Sequence, residues 1–215
     1  MGKLNSKTIK DLEKIFGDFK KTVTVKYFGK SSANECRYCR ETRELLEGVS
    51  EISDKIKLEV FDFEGDAAVV AEYGITRAPA IVVMDEKDYG IRFYGVPGGY
   101  EFSSLVESFK LISSGENRLA PETREFLDGL DKKIHLQVFV TPTCPYCPNA
   151  VVLAHRLAYY SPKVAADMVE ASEFPELSQK YNVMGVPRTI INETFFLEGA
   201  APESDLVEKI KGAVV

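Results

Sequence analysis

At 215 residues the chain has room for one large domain or two of ordinary size, each with its own core. With 45% hydrophobic and 28% charged residues it has the composition of a folded globular protein, which excludes a disordered chain. A net charge of −6, with no basic run interleaved with aromatics, excludes the nucleic-acid-binding classes, and no apolar run is long enough to span a bilayer.

In chain order, Ile9, Leu12, Ile15, Phe16 and Phe19 recur at helical spacing and predict a helix over 8–19. "TVTVKYF" (22–28) predicts a strand, followed by Cys36-x-x-Cys39 and a helix through Leu45, Leu46, Val49 and Ile52. A strand at 56–63, a short helix at 66–73, a strand opened by Pro79, its hairpin partner "GIRFYGV" and a helix at 101–113 complete this half. The polar stretch "SSGENRLAPE" reads as a boundary, dividing the chain into units 1–116 and 117–215.

The second half repeats the order. A helix at 122–130 leads to a strand at 135–140, Cys144-x-x-Cys147 and a helix from Pro145 to about Tyr160. The strand "KVAADMVE", a helix at 174–181, Pro187, the strands "RTIIN" and "TFFLEG" and a helix at 204–213 follow. Shifted by 108 positions, Cys36, Tyr38, Cys39, Tyr73 and Pro79 fall on Cys144, Tyr146, Cys147, Tyr181 and Pro187. Identity elsewhere is low, but these matches point to two homologous units in tandem. The first unit carries about three extra residues, in "GKSSANE", before its first cysteine. The fold class expected is α/β, two tandem units each with a mixed central sheet flanked by helices.

The four cysteines are those of the two CxxC motifs. A CxxC between a strand and a helix puts its first cysteine at the N-cap, facing unpaired backbone N–H groups and the positive helix end. That environment favours thiolate. Two intervening residues let the second sulfur close a disulfide within one turn. Pro145 suits the first helical position; Pro148 is harder to explain. A CxxC…CxxC zinc site closes a much shorter loop than the one between Cys39 and Cys144. His135 at a strand start and His155 in a helix add no ligand pattern, so no metal is expected. Pro79 and Pro187 both lie 43 residues after the first cysteine of their unit, which predicts cis X–Pro bonds beside the sulfurs. Ala78 and Val186 would then pair in strand fashion with a bound peptide, with Tyr38 and Tyr146 as apolar contact surface.

On these residues each unit resembles a thioredoxin fold, and "CPYC" with "VPRTIIN" is similar to glutaredoxins. The tandem arrangement resembles the protein disulfide oxidoreductases of thermophilic archaea and bacteria. The resemblance implies dithiol–disulfide exchange with Cys36 and Cys144 attacking and Cys39 and Cys147 resolving. It implies no cofactor beyond the two redox-active disulfides, client proteins bearing thiols or disulfides, and a thioredoxin-reductase-like flavoprotein as electron donor. Cys144 is expected to be the dominant site. Thioredoxins bury an Asp six residues before the first cysteine, where this chain has Val138 and, allowing for the longer loop, Tyr27; it also has no Trp. "EGAAPESD" keeps only part of the glutathione-holding pattern of glutaredoxins.

The N-terminus lacks a signal-peptide core, so a cytoplasmic location is expected. Two Gln and six Asn in the whole chain suit a thermophilic source, and hyperthermophiles are where intracellular disulfides are commonest. Two other readings stay open. One is an electron-relay module of a peroxide-reducing system, resembling the domain fused to alkyl hydroperoxide reductase flavoproteins, where usually one unit keeps its cysteines. The other is a non-enzymatic peptide- or metal-binding module.

Overall fold

A computed structural model describes residues 4–32 and 35–214. Ala33 and Asn34, part of the longer loop before Cys36, lie outside the described residues.

Helix α1 (Ser6–Gly17) starts two residues earlier than hydrophobic spacing predicts, because the Asn5 side chain accepts the Lys7 and Thr8 N–H groups at 3.0 and 2.9 Å. It is followed by β1 (Val23–Gly29), α2 (Cys39–Ser50), β2 (Ile56–Asp62), α3 (Ala67–Glu72), β3 (Ala80–Met84), β4 (Ile91–Tyr94) and α4 (Glu101–Ser114). After the connection at 115–120 come α5 (Pro121–Asp128), β5 (Ile134–Val140), α6 (Cys147–Tyr160), β6 (Val164–Glu170), α7 (Pro175–Lys180), β7 (Arg188–Ile191), β8 (Phe195–Glu198) and α8 (Glu203–Ala213).

Each half has the mixed sheet expected: β1 runs parallel to β2 and antiparallel to β3, and β5 does the same with β6 and β7. The two sheets are also joined edge to edge. Strand β4 pairs in parallel with β6, from Ile91 opposite Ala166 to Tyr94 opposite Val169, giving one eight-stranded sheet ordered β2-β1-β3-β4-β6-β5-β7-β8. "IRFY" reads in the sequence only as a hairpin partner, but an apolar edge strand left open is a liability that pairing removes. All four residues of β4 are buried, whereas its counterpart β8 is largely exposed.

The alternation of side chains along the strands gives the sheet two apolar faces. On one, α1, α2, α4, α5, α6 and α8 pack over Val25, Ile81, Phe93, Leu136, Val138 and Met168. On the other, α3 and α7 cover Phe28, Val82, Phe139, Val169 and Ile190. At the joint Phe93 is fully buried and meets the His155 ring edge-on, with centroids 4.9 Å apart. Nearby, the Ser108 hydroxyl and His155 Nδ1 lie 2.9 Å apart between α4 and α6. The joint therefore holds a continuous core, and the two halves should unfold together. Truncation by Phe93→Ala is expected to cost about 3–5 kcal/mol. In urea it should lower one common transition, read by fluorescence and circular dichroism, and separate transitions for the two halves would contradict this reading.

Candidate functional site

Both cysteine pairs are disulfides, Cys36–Cys39 and Cys144–Cys147, with Cα atoms 5.4 and 5.5 Å apart, and all four residues are buried. Each follows the first strand of its half, as expected, but the first cysteine is not the helix N-cap. Helices α2 and α6 begin at the second cysteine, with Tyr38 and Tyr146 as N-caps. The first cysteine sits one turn earlier because a bridge across two intervening residues needs a closed turn there. This also accounts for Pro148. It is the second residue of α6, so its missing N–H falls among the donors that a helix start leaves unbonded.

The two sulfur environments differ. At the second site the Cys147 N–H points at Cys144 Sγ from 3.1 Å, as expected of a helix start, and the Val186 carbonyl oxygen lies 3.8 Å from the same sulfur. At the first site a backbone donor points at the other sulfur, from Lys30 N–H to Cys39 Sγ at 3.2 Å. There the Tyr27 hydroxyl donates to the Cys39 carbonyl at 2.6 Å. Burial pushes its pKa up, so the phenol remains a donor. Gly29 makes this possible, because a Cβ there would stand 2.1 Å from the Tyr27 oxygen. In the second half the corresponding pair is Val138 and Val140, two apolar residues.

The peptide bonds Ala78–Pro79 and Val186–Pro187 are both cis. Each proline carbonyl accepts an N–H from a glycine with positive φ, Gly95 at 3.0 Å and Gly199 at 2.8 Å. Of the aromatic residues singled out in the sequence, Tyr146 is 68% exposed, while Tyr38 is half-buried beneath the Arg37 guanidinium at 5.3 Å. Met184, two residues before Val186, is exposed as well and escaped the sequence reading.

A second residue escaped it. Glu101 opens α4 in the first half, next to a contact with the loop of the second site. The Tyr100 N–H donates to the Pro142 carbonyl at 2.9 Å, two residues before Cys144. Helices α4 and α6 run side by side in one direction with Ser108 opposite His155. Two turns back this sets Glu101 against the start of α6, where Cys147 lies. Its carboxylate accepts the Ser104 hydroxyl at 2.6 Å, and its other oxygen has no partner among the described residues. Burial pushes its pKa up to about 7, against the smaller opposing effect of Ser104. No local signal could have found it; "GGYEF" reads as an ordinary helix start.

Neither histidine attends a sulfur. His155 is held by Ser108, and His135 lies between Asp167 at 2.7 Å and Glu193 at 2.5 Å. Burial opposes charge on His135, but the two carboxylates outweigh it and hold its pKa up at about 9.

Two disulfides, each between a strand and a helix and each in a half with its own cis-proline, define a tandem thioredoxin-fold protein built for dithiol–disulfide chemistry. A thioredoxin-domain family model matches residues 134–211. The protein disulfide oxidoreductase of Aeropyrum pernix is 31% identical in sequence, covers 100% of this chain and 95% of its own, and superposes with a TM-score of 0.91. The chain belongs to the thioredoxin superfamily. The N-terminal domain of Enterococcus faecalis alkyl hydroperoxide reductase AhpF is 28% identical, with a TM-score of 0.88 over 99% of this chain and 100% of that domain. The alkyl hydroperoxide reductase AhpF of Staphylococcus aureus is 26% identical over 80% of this chain, which spans 31% of that protein's length.

Because its pKa is raised in the fold, Glu101 contributes stability that is fully present below about pH 4.5 and is lost as pH rises through about 7. Glu101→Gln should match the wild type at pH 4.5 and exceed it above pH 7 by on the order of 2 kcal/mol. Urea midpoints measured across this range test it; parallel pH profiles would show that Glu101 ionises freely.

Proposed function

We propose that the chain is a thiol–disulfide oxidoreductase acting on disulfides and thiols of client proteins, with units 1–116 and 117–215 each carrying one redox centre. The observation that carries this reading is the Cys147 N–H directed at Cys144 Sγ beside the Val186–Pro187 bond. A hydrogen bond to sulfur is worth more to thiolate than to thiol, so Cys144 is the nucleophile.

The Cys144 thiolate attacks one sulfur of a client disulfide, forming a mixed disulfide and expelling the other client sulfur as thiolate. The Cys147 thiol passes its proton to the Glu101 carboxylate and attacks Cys144 Sγ. The Cys144–Cys147 bond closes, the second client sulfur leaves, and two electrons have moved to the client. Reversal of these steps forms disulfides, and release of the mixed disulfide to another client thiol isomerises them. Ala78 and Val186, beside Pro79 and Pro187, offer backbone to an extended client segment, while Tyr146 and Tyr38 contact its side chains. Cys36 and Cys39 form the second centre. The reading includes a cytoplasmic location and a thioredoxin-reductase-like flavoprotein as donor. Among the described residues no helix is long and apolar enough to cross a membrane.

Similarity to the AhpF N-terminal domain over nearly the whole chain favours a second reading, in which the chain relays electrons within a peroxide-reducing system.

Equilibration in a series of dithiol redox buffers, followed by alkylation and mass measurement, should give two separable two-electron transitions. Cys144→Ser should remove one of them and most client reduction, leaving Cys36–Cys39. A single four-electron step, or full activity in Cys144→Ser, would defeat the assignment. An electron relay is distinguished by reduction of a peroxidase disulfide much faster than reduction of unrelated protein disulfides.

A further inference from the structure

The internal repeat shows what an open edge of this fold can accept. Strand β8 is the counterpart of β4, since Arg188 faces Glu198 as Ala80 faces Tyr94, and Gly199 bonds the Pro187 carbonyl as Gly95 bonds that of Pro79. Strand β2 is likewise the counterpart of β6. Within the chain β4 pairs with β6, while β8 and β2 are the two free ends of the sheet. Among the described residues, half of the large exposed hydrophobic side chains lie on those ends: Val60 on β2 (42% exposed) and Phe195 and Phe196 on β8 (38% and 46%).

The first redox centre also carries an unfilled seat. A cleft of about 480 Å³ beside Cys36 and Cys39 is lined by Tyr27, Ser31, Arg40, Arg43, Val60 and Asp62, among others. Their counterparts near Cys144 are covered by the first half. Pro142, in the place of Ser31, accepts the Tyr100 N–H and lies hard against Gly99, and Glu170, in the place of Asp62, packs against Gly95. Val151 and Met168, in the places of Arg43 and Val60, are fully buried.

We propose that the β8–α8 edge of one copy of this chain docks on the β2–α2 edge of another, repeating between molecules the joint that links the two halves. Transfer of the β4–β6 register sets Phe195 opposite Leu58 and Leu197 opposite Val60, apolar on apolar, on the helix-rich face. Helix α8 then lies on α2 as α4 lies on α6. "SLVESF" in α4 matches "DLVEKI" in α8, so Ser108 corresponds to Lys209 and Ser104 to Asp205. His155 corresponds to Glu47 and Val151 to Arg43. The Ser108–His155 contact thus becomes Lys209 against Glu47, and one turn earlier Asp205 meets Arg43, opposite charges in both cases. Glu208 faces Glu44, a like pair offset by Arg40, which lies 3.8 Å from Glu44. The docked helix closes the cleft beside Cys36 and Cys39. Because the two edges differ, the contact is head-to-tail and the assembly grows beyond a dimer.

Sedimentation velocity over a concentration series tests this. The wild type should form species larger than dimers, weakened by salt because charged pairs rim the contact. Val60→Lys and Asp205→Arg/Lys209→Glu, all at exposed positions, should each weaken association about tenfold or more. Each variant keeps one intact edge, so an equimolar mixture should give dimers and nothing larger. In reduced protein Cys36 and Cys39 should alkylate more slowly at associating concentrations, and Val60→Lys should abolish that protection. A protein monomeric throughout, association that stops at a dimer, or association indifferent to Val60→Lys would overturn the proposal. Unchanged alkylation of associated protein would overturn the closing of the cleft. These readouts are independent of client turnover, so failure here leaves the oxidoreductase reading untouched.

Discussion

Everything distinctive in this molecule depends on one pairing, that of β4 with β6. A strand edge in water has unsatisfied N–H and C=O groups and invites other strands. Here the edge of the first half meets the edge of the second, and both disappear into one sheet. Backbone bonding alone would leave the halves free to slide. Phe93, Met168 and the ring of His155 fill the space beneath it and turn a strand contact into a core. Ser104 and Ser108 are small enough to let α4 lie close on α6, and their hydroxyls bond polar atoms that would otherwise be buried without partners.

That joint makes two copies of one unit chemically unlike. The second redox centre is covered on one side by the first half, whose buried Glu101 follows the Tyr100 that bonds Pro142. The first centre has no such cover. Its Tyr27 reaches over Gly29 to hold the Cys39 carbonyl, its approach is lined by Lys30, Arg40 and Arg43, and its cleft is open. Duplication supplies the same chemistry twice, but only one copy can be the interior neighbour of the other. The polar and apolar choices at matched positions, Arg43 against Val151 and Ser31 against Pro142, follow from which side of the joint each residue occupies.

Much was legible without coordinates. Hydrophobic spacing predicted each element, with shifts of a residue or two at ends where caps decide, as at Asn5. The two CxxC motifs and the prolines at matched distance marked the redox loops, because short-range geometry dictates what a cysteine three residues from another, or a proline at a strand start, can do. The register of the repeat even located the longer loop before Cys36. The first cysteines lie two residues before the N-caps rather than at them, and Pro148 is accounted for by a helix that begins at Cys147.

Short-range order is written along the chain: strand, turn, helix start, sulfur spacing and the repetition of that order. Long-range packing set the rest, namely the β4–β6 joint, the contact that places buried Glu101 next to the Tyr100–Pro142 bond, and the donor that Lys30 offers to Cys39. The reason is physical. Periodicity and turn chemistry act over a few residues and leave their mark there, whereas burial, and the pKa of a carboxyl group within it, depends on which surfaces the folded chain brings into contact.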